Sequence, residues 1–214
     1  MHDDLQTRIA HLWQRLVQAL GPAGQTLRVR PGRAALPPVE DRIGLRLPDD
    51  YRAWLALHDG EDDVRGRVEY LPGGGFLLPA DVTLQRWVDQ EAWFQGEDDP
   101  GYAVFQDDDR IRSVVAHPQR VMIASNRYGD GDNTYLDFCP GPAGTAGQVI
   151  VATSECDFEV VGASFEDFLR RLATALEEGL LEVLPAQGGE GPRVAARVNP
   201  YDRWESVLRA VTSR

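Results

Sequence analysis

Apolar residues recur at helical spacing at Leu5, Ile9, Leu12, Trp13, Leu16 and Leu20 until Gly21-Pro22 ends the run, which predicts an amphipathic helix that needs a surface to lie against. Residues 23–36 carry Gly, Pro and Arg without sustained periodicity; they read as a connection, with one short strand at 25–29. A short helical piece at 38–43 precedes a second helix that opens on Leu47-Pro48-Asp49-Asp50. Proline in the first turn costs no hydrogen bond, both acids sit at the positive end of the helix dipole, and Gly60 supplies a stop. Tyr51, Trp54, Leu55 and His58 share one face of it. His58 has no second ligand at helical spacing, so it is expected to be packed rather than to bind a metal.

Residues 68–71 and 76–78, split by Pro72-Gly73-Gly74-Gly75, predict a hairpin. A phosphate-binding loop would need a lysine and a helix directly after the glycines, and neither is present. Pro79-Ala80-Asp81 opens a helix carrying Leu84, Trp87 and Val88 inward and running to about Phe94. Residues 110–116 alternate toward a strand, His117-Pro118 breaks it, and 121–124 begin another. Residues 123–150 then read strand, acidic glycine turn, strand, Pro/Gly turn, strand, with the third strand spanning 148–152 and another short strand following at 158–161. Ser164 with Asp167 three residues on marks the start of a helix. Phe165, Phe168, Leu169, Leu172 and Leu176 keep to one stripe of it until Gly179. Residues 187–192 form a Gly-rich linker, and Asn199-Pro200 starts a last helix with Trp204, Leu208 and Val211 on one face. No internal repeat is present. The expected organisation is a single domain over residues 1–185, a linker at 186–198 and a helical extension at 199–214.

The 214 residues suit one such domain, and 43% hydrophobic with 26% charged residues is a globular composition. All 22 basic residues are arginine; they face 34 acids for a net charge of -12. That sign repels a polyphosphate backbone, so nucleic acid is disfavoured and a basic protein is the better partner, although charge also serves solubility. No apolar run approaches the ~20 residues that span a bilayer. Met1-His2-Asp3-Asp4 has neither the basic region nor the apolar run of a signal peptide, and Cys139 and Cys156 fit no metal or redox spacing. A reducing cytoplasm with two free thiols is therefore expected.

The order of Leu47-Pro48-x-Asp50-Tyr51 to Gly60, His117-Pro118 leading into Val121-Met122-Ile123-Ala124, Gly131-Asp132-Asn133, Leu136-Asp137, Pro140, Gly144-Thr145, Gly147-Gln148-Val149-Ile150 and Ser164-Phe165-Glu166-Asp167-Phe168-Leu169 resembles the SUKH superfamily, in its Smi/Knr-like branch. The resemblance implies an α+β fold, a largely antiparallel twisted sheet with helices packed against it, and no enzymatic activity. Extra N- and C-terminal helices would be additions of this chain. Bacterial members resemble immunity proteins that neutralise toxins; a fungal relative regulates cell-wall glucan synthesis. Family members often carry tryptophans around the His/Asn-Pro step. Here Val115, Ala116 and Arg120 stand in their place and Met122 replaces a proline, so a pocket built from those rings does not carry over.

The segment 128–133 lacks the distal bidentate glutamate of a calcium loop, and its Gly-Asp pairs make ordinary turns. No metal or other cofactor is expected. Asp132, Asp137 and Glu155 are candidates for a hydrolytic carboxylate pair, but sequence does not show whether they face one another. Ser125, Ser154 and the cysteines lack a nucleophile elbow or a His/Asp partner pattern, so no catalytic residue is assigned. The partner face is expected on the loop Asp130, Asp132 and Asn133 and on the block Asp107, Asp108 and Asp109, because loops expose functional side chains. The expected function is that of a toxin-neutralising immunity protein. The alternatives are a scaffold in envelope polysaccharide synthesis and, third, a hydrolase.

Overall fold

A computed structural model describes residues 2–33, 37–94, 108–129, 131–153, 157–188, 190–197 and 204–211. The elements run α1 (His2–Ala19), β1 (Val29–Pro31), α2 (Pro37–Ile43), α3 (Asp49–Leu57), β2 (His58–Glu61), β3 (Phe76–Leu77), α4 (Ala80–Gln90), β4 (Arg120–Ser125), β5 (Asn133–Asp137), β6 (Gln148–Ala152), β7 (Phe158–Gly162), α5 (Phe165–Glu177), β8 (Leu181–Leu184), β9 (Arg193–Ala196) and α6 (Trp204–Ala210). The fold is α+β. Strands β3 to β7 form an open antiparallel sheet in sequence order, while β1–β2 and β8–β9 form two small antiparallel pairs.

Because strand side chains alternate, the sheet has two distinct faces. Val121, Ile123, Leu136, Val149, Val151 and Val161 point inward to the main core. There they meet α1, α3 and α5, joined by aromatic contacts: Trp13 to Trp54 at 4.6 Å and Tyr51 to Phe165 at 5.0 Å between ring centroids. The predicted stripe of α5 is buried throughout. Its amino end is closed by two acceptors, Ser164 Oγ for the Asp167 N–H at 3.2 Å and Asp50 Oδ2 for the Glu166 N–H at 2.9 Å. Asp50 therefore ties α3 to α5 by satisfying orphan helix donors. On the outer side, register aligns Met122, Tyr135, Ile150 and Val160 in a row across four strands. Beside that row lies a polar one, Arg120, Asp137 and Gln148.

Several expectations are corrected. The helix that was to stop at Gly60 ends at Leu57, because residues 58–61 pair with β1 as β2. Residues 21–26 form a 3-10 helix, and the strand expected at 25–29 falls at Val29–Pro31. The glycine-rich hairpin shrinks to a single antiparallel bridge between Leu71 and Gly75: Phe76 and Leu77 pair with β4, whereas Glu69 bonds Pro192 and Val194 beside β9. Gly73, at φ +62°, lies so close to Asp132 that an added Cβ would stand 2.4 Å from its backbone nitrogen, so the turn closes onto the β4–β5 loop. Val88, expected inward, is exposed. The strand expected at 110–116 is absent because side chains take its carbonyls. Gln148 Nε2 donates to Arg110 O at 2.8 Å, and Arg120 donates to Arg112 O at 2.8 Å and to Val114 O. The stretch read as a linker carries β9, the partner of β8. Leu208 and Val211 of the last helical segment are buried as expected. Its start at 199–203 and the Trp204 side chain lie outside the described residues.

Candidate functional site

The acidic loops were to form one partner face, but their described members stand at opposite ends of β5. Asp132 and Asn133 lie at its beginning. Asp108 and Asp109 lie near its end, where Gln148 bridges Asp137 to Arg110 O. Four residues at ~3.3 Å each put the two groups on the order of 13 Å apart along the strand. Asp108 is already matched: Arg110 Nε and Nη2 grip its carboxylate at 2.9 and 2.5 Å, and this hydrogen-bonded arginine holds it below the usual carboxylate range. Asp109 is exposed; Asp132 and Asn133 are half-buried. Asp107 and Asp130 lie outside the described residues, as do Ser154, Glu155 and Cys156. In the neighbouring turn Asn126 Oδ1 accepts the N–H groups of Tyr128 and Gly129 at 3.0 and 2.7 Å, an ordinary Asx turn. Among the described residues no cluster of three or more His, Cys, Asp or Glu side chains is arranged to hold a metal ion.

Asp137 has a structural task. It is fully buried, its oxygens accepting Gln148 Nε2 at 3.0 Å and the Cys139 N–H at 3.2 Å, with Arg120 Nε at 3.5 Å. Arg120 spends its remaining nitrogens on the carbonyls of Arg112 and Val114 and lies over the Phe158 ring at 4.7 Å. This network pins the 110–116 segment against the sheet and keeps the Asp137 carboxylate away from solvent. Cys139 beside it is sealed, and burial pushes its thiol up to about 12.

Pinning that segment leaves a groove of about 350 Å³ on the outer face of the sheet. Tyr135 and Arg120 line it from the sheet, Val115, Ala116 and His117 from the pinned segment, and Asp89, Gln90 and Trp93 from the end of α4 and the turn after it. The walls are fastened to each other. Trp87 Nε1 donates to Pro118 O at 2.9 Å, and Gln90 Nε2 donates to the Tyr135 hydroxyl at 3.3 Å. His117 is buried, and its Nδ1 accepts the Gln119 N–H at 3.1 Å. Trp93 is 75% exposed, an unusual position for a tryptophan, since that ring normally covers apolar surface. The replacements that removed the expected rings, Val115, Ala116 and Arg120, thus line a groove whose rings come from Trp93 and Tyr135. Sequence reasoning passed over both. The available signal was Trp93, five residues beyond Val88 and off the Leu84–Trp87 stripe.

An open antiparallel sheet with α1, α3 and α5 on one face and, on the other, a preformed, mixed polar and apolar groove walled in part by α4 has the architecture of a binding domain. The model of the SMI1/KNR4 family (SUKH-1) matches residues 33–171, from just before α2 to about the middle of α5. The chain belongs to this family, which is a kind of protein-interaction module and is not known for enzymatic activity. It is 33% identical over 152 residues to a protein of Schizosaccharomyces pombe named cell wall biosynthesis/cell cycle regulator smi1, an alignment covering 66% of this chain and 30% of that protein. The chain thus matches less than a third of the relative's length. Among the described residues no helix is long and apolar enough to cross a membrane.

Proposed function

We propose that this chain is a non-enzymatic protein-binding module that neutralises a bacterial toxin in the cytoplasm by masking its surface. The observation that carries the binding reading is Trp93, held exposed at the rim of a groove whose walls are mutually bonded. Exposed aromatics on a rigid support are the usual anchors of interfaces. The immunity reading draws support from the net charge of -12, which speeds encounter with a basic surface such as that of a nuclease. Asp109, Asp132 and Asn133, together with Asp107, Asp108 and Asp130, would flank the contact. A second role, a scaffold regulating envelope polysaccharide synthesis, is favoured by the cell-wall regulator among its relatives.

Affinity capture with the purified chain, followed by identification of the bound protein, separates the two roles. A secreted-toxin domain is expected; an envelope-synthesis enzyme would transfer the assignment to the second. Trp93→Ala should lose the captured protein. Unchanged capture would remove the groove from the interface.

A further inference from the structure

The charge that the groove offers a ligand can be read from its partners. Most acids around it are matched within the fold: Glu91 by Arg42 at 2.7 Å, Asp108 by Arg110 and Asp137 by Arg120. Asp89 differs. It is exposed, and its hydrogen-bond partner among the described residues is the neutral Gln85 at 2.8 Å. The cation lining the groove, Arg120, has its charge opposed by Asp137 and its nitrogens directed to backbone carbonyls. Among the described residues of the lining the unmatched charge is therefore negative, and it stands beside the Trp93 ring with Tyr135 in the same lining.

A carboxylate and aromatic rings attract one kind of group together. Ring faces are electron-rich and draw a desolvated cation, and the carboxylate supplies its counter-charge. A volume near 350 Å³ is at the small end for a ligand site and suits one long side chain rather than a whole cofactor. We propose that the groove between the end of α4 and residues 115–117 is a recognition pocket for a cationic side chain, arginine above all, projecting from a basic partner protein. This rests on the binding-module reading and specifies what the groove binds. Val115 and Ala116 pack the aliphatic stem, Trp93 stacks on the guanidinium, and Asp89 closes over it at the rim.

The probe is N-acetyl-arginine amide, with N-acetyl-citrulline amide as its uncharged isostere, titrated into the ¹⁵N-labelled full chain. The reporter is the Trp93 indole N–H signal, identified by its disappearance in Trp93→Phe. The arginine compound is expected to shift that signal saturably and to bind about tenfold tighter than the citrulline compound. Asp89→Asn, an exposed and conservative change, should cut the arginine-over-citrulline preference about threefold to tenfold by weakening arginine binding more than citrulline binding. Equal binding of the two compounds, or an unmoved Trp93 signal with both, overturns the proposal. If Trp93→Ala also loses a captured protein while the chain ignores arginine, the binding-module reading survives and only the cation pocket is discarded.

Discussion

Glu61 lies in β2 with both carboxyl oxygens sealed from solvent, so replacing it by glutamine measures what a buried acid costs this fold. Oε1 accepts the Tyr70 hydroxyl and the Leu77 N–H at 3.1 Å. Oε2 has no hydrogen-bond partner among the described residues. Two donors on one oxygen and none on the other is the pattern of a neutral carboxylic acid, and burial raises the group from 4.5 to about 7 against the pull of those donors and of Arg67. In the unfolded chain Glu61 ionises near 4.5, whereas the folded protein holds its proton until about 7. Between those values the native state binds more protons, so stability falls as pH rises and the loss is complete above the folded value. A gap of about 2.5 units corresponds to roughly 3 kcal/mol. Glu61→Gln keeps an acceptor for Tyr70 and Leu77 and removes the titration.

Urea unfolding at intervals from pH 5 to 8.5 reads this directly. His58, lowered by burial, contributes the opposite slope just below its ordinary 6.5, since there the unfolded chain takes up the proton first. Asp108, Asp167 and Glu40 are also lowered, so their contributions are lost only at acid pH, below the window. The informative quantity is therefore the difference between wild type and variant. The glutamine protein should gain on wild type by up to roughly 3 kcal/mol across the window, most of it by pH 8. A wild-type-minus-variant difference that stays flat with pH would refute the reasoning.

Other sites give independent checks. Asp137→Asn leaves Arg120 without its buried counter-charge and should cost about 3 to 5 kcal/mol in chemical unfolding, with residues 110–116 becoming the first protease-sensitive site. Asp50→Ala removes the acceptor that links α3 to α5 and should cost about 1 to 2 kcal/mol, read from the same unfolding curves. Cys139 should resist a thiol reagent in the native protein at pH 8 and react fully in urea, because burial keeps its thiol protonated.

The elements visible from the sequence are those whose pattern is decided locally. The stripe of α5 and its Ser164–Asp167 start, the α1 periodicity and the apolar runs of β4 and β6 bounded by Gly and Pro turns each follow from side chains a few residues apart. What escaped depends on distant partners. His58-Asp59-Gly60-Glu61 becomes a strand because β1 lies beside it, and no alternation of apolar residues announces this. The 110–116 segment has strand-like alternation, but Arg120 and Gln148 occupy carbonyls that a ladder would use. The acidic block is legible as charge, but that Arg110 cancels Asp108 depends on a turn that folds the arginine back onto its neighbour two residues away. The groove draws on residues 89–93, 115–120 and 135, three segments distant in sequence that the sheet and the Trp87–Pro118 and Gln90–Tyr135 bonds bring together.

Hydrogen–deuterium exchange of the chain, alone and saturated with its captured partner, tests most directly the claim that the outer face of the sheet is the binding face. Added protection is predicted at residues 89–93 and 115–117, with exchange in α1 unchanged. Protection confined to α1 and the helical side, with the groove segments exchanging as in the free chain, would contradict it.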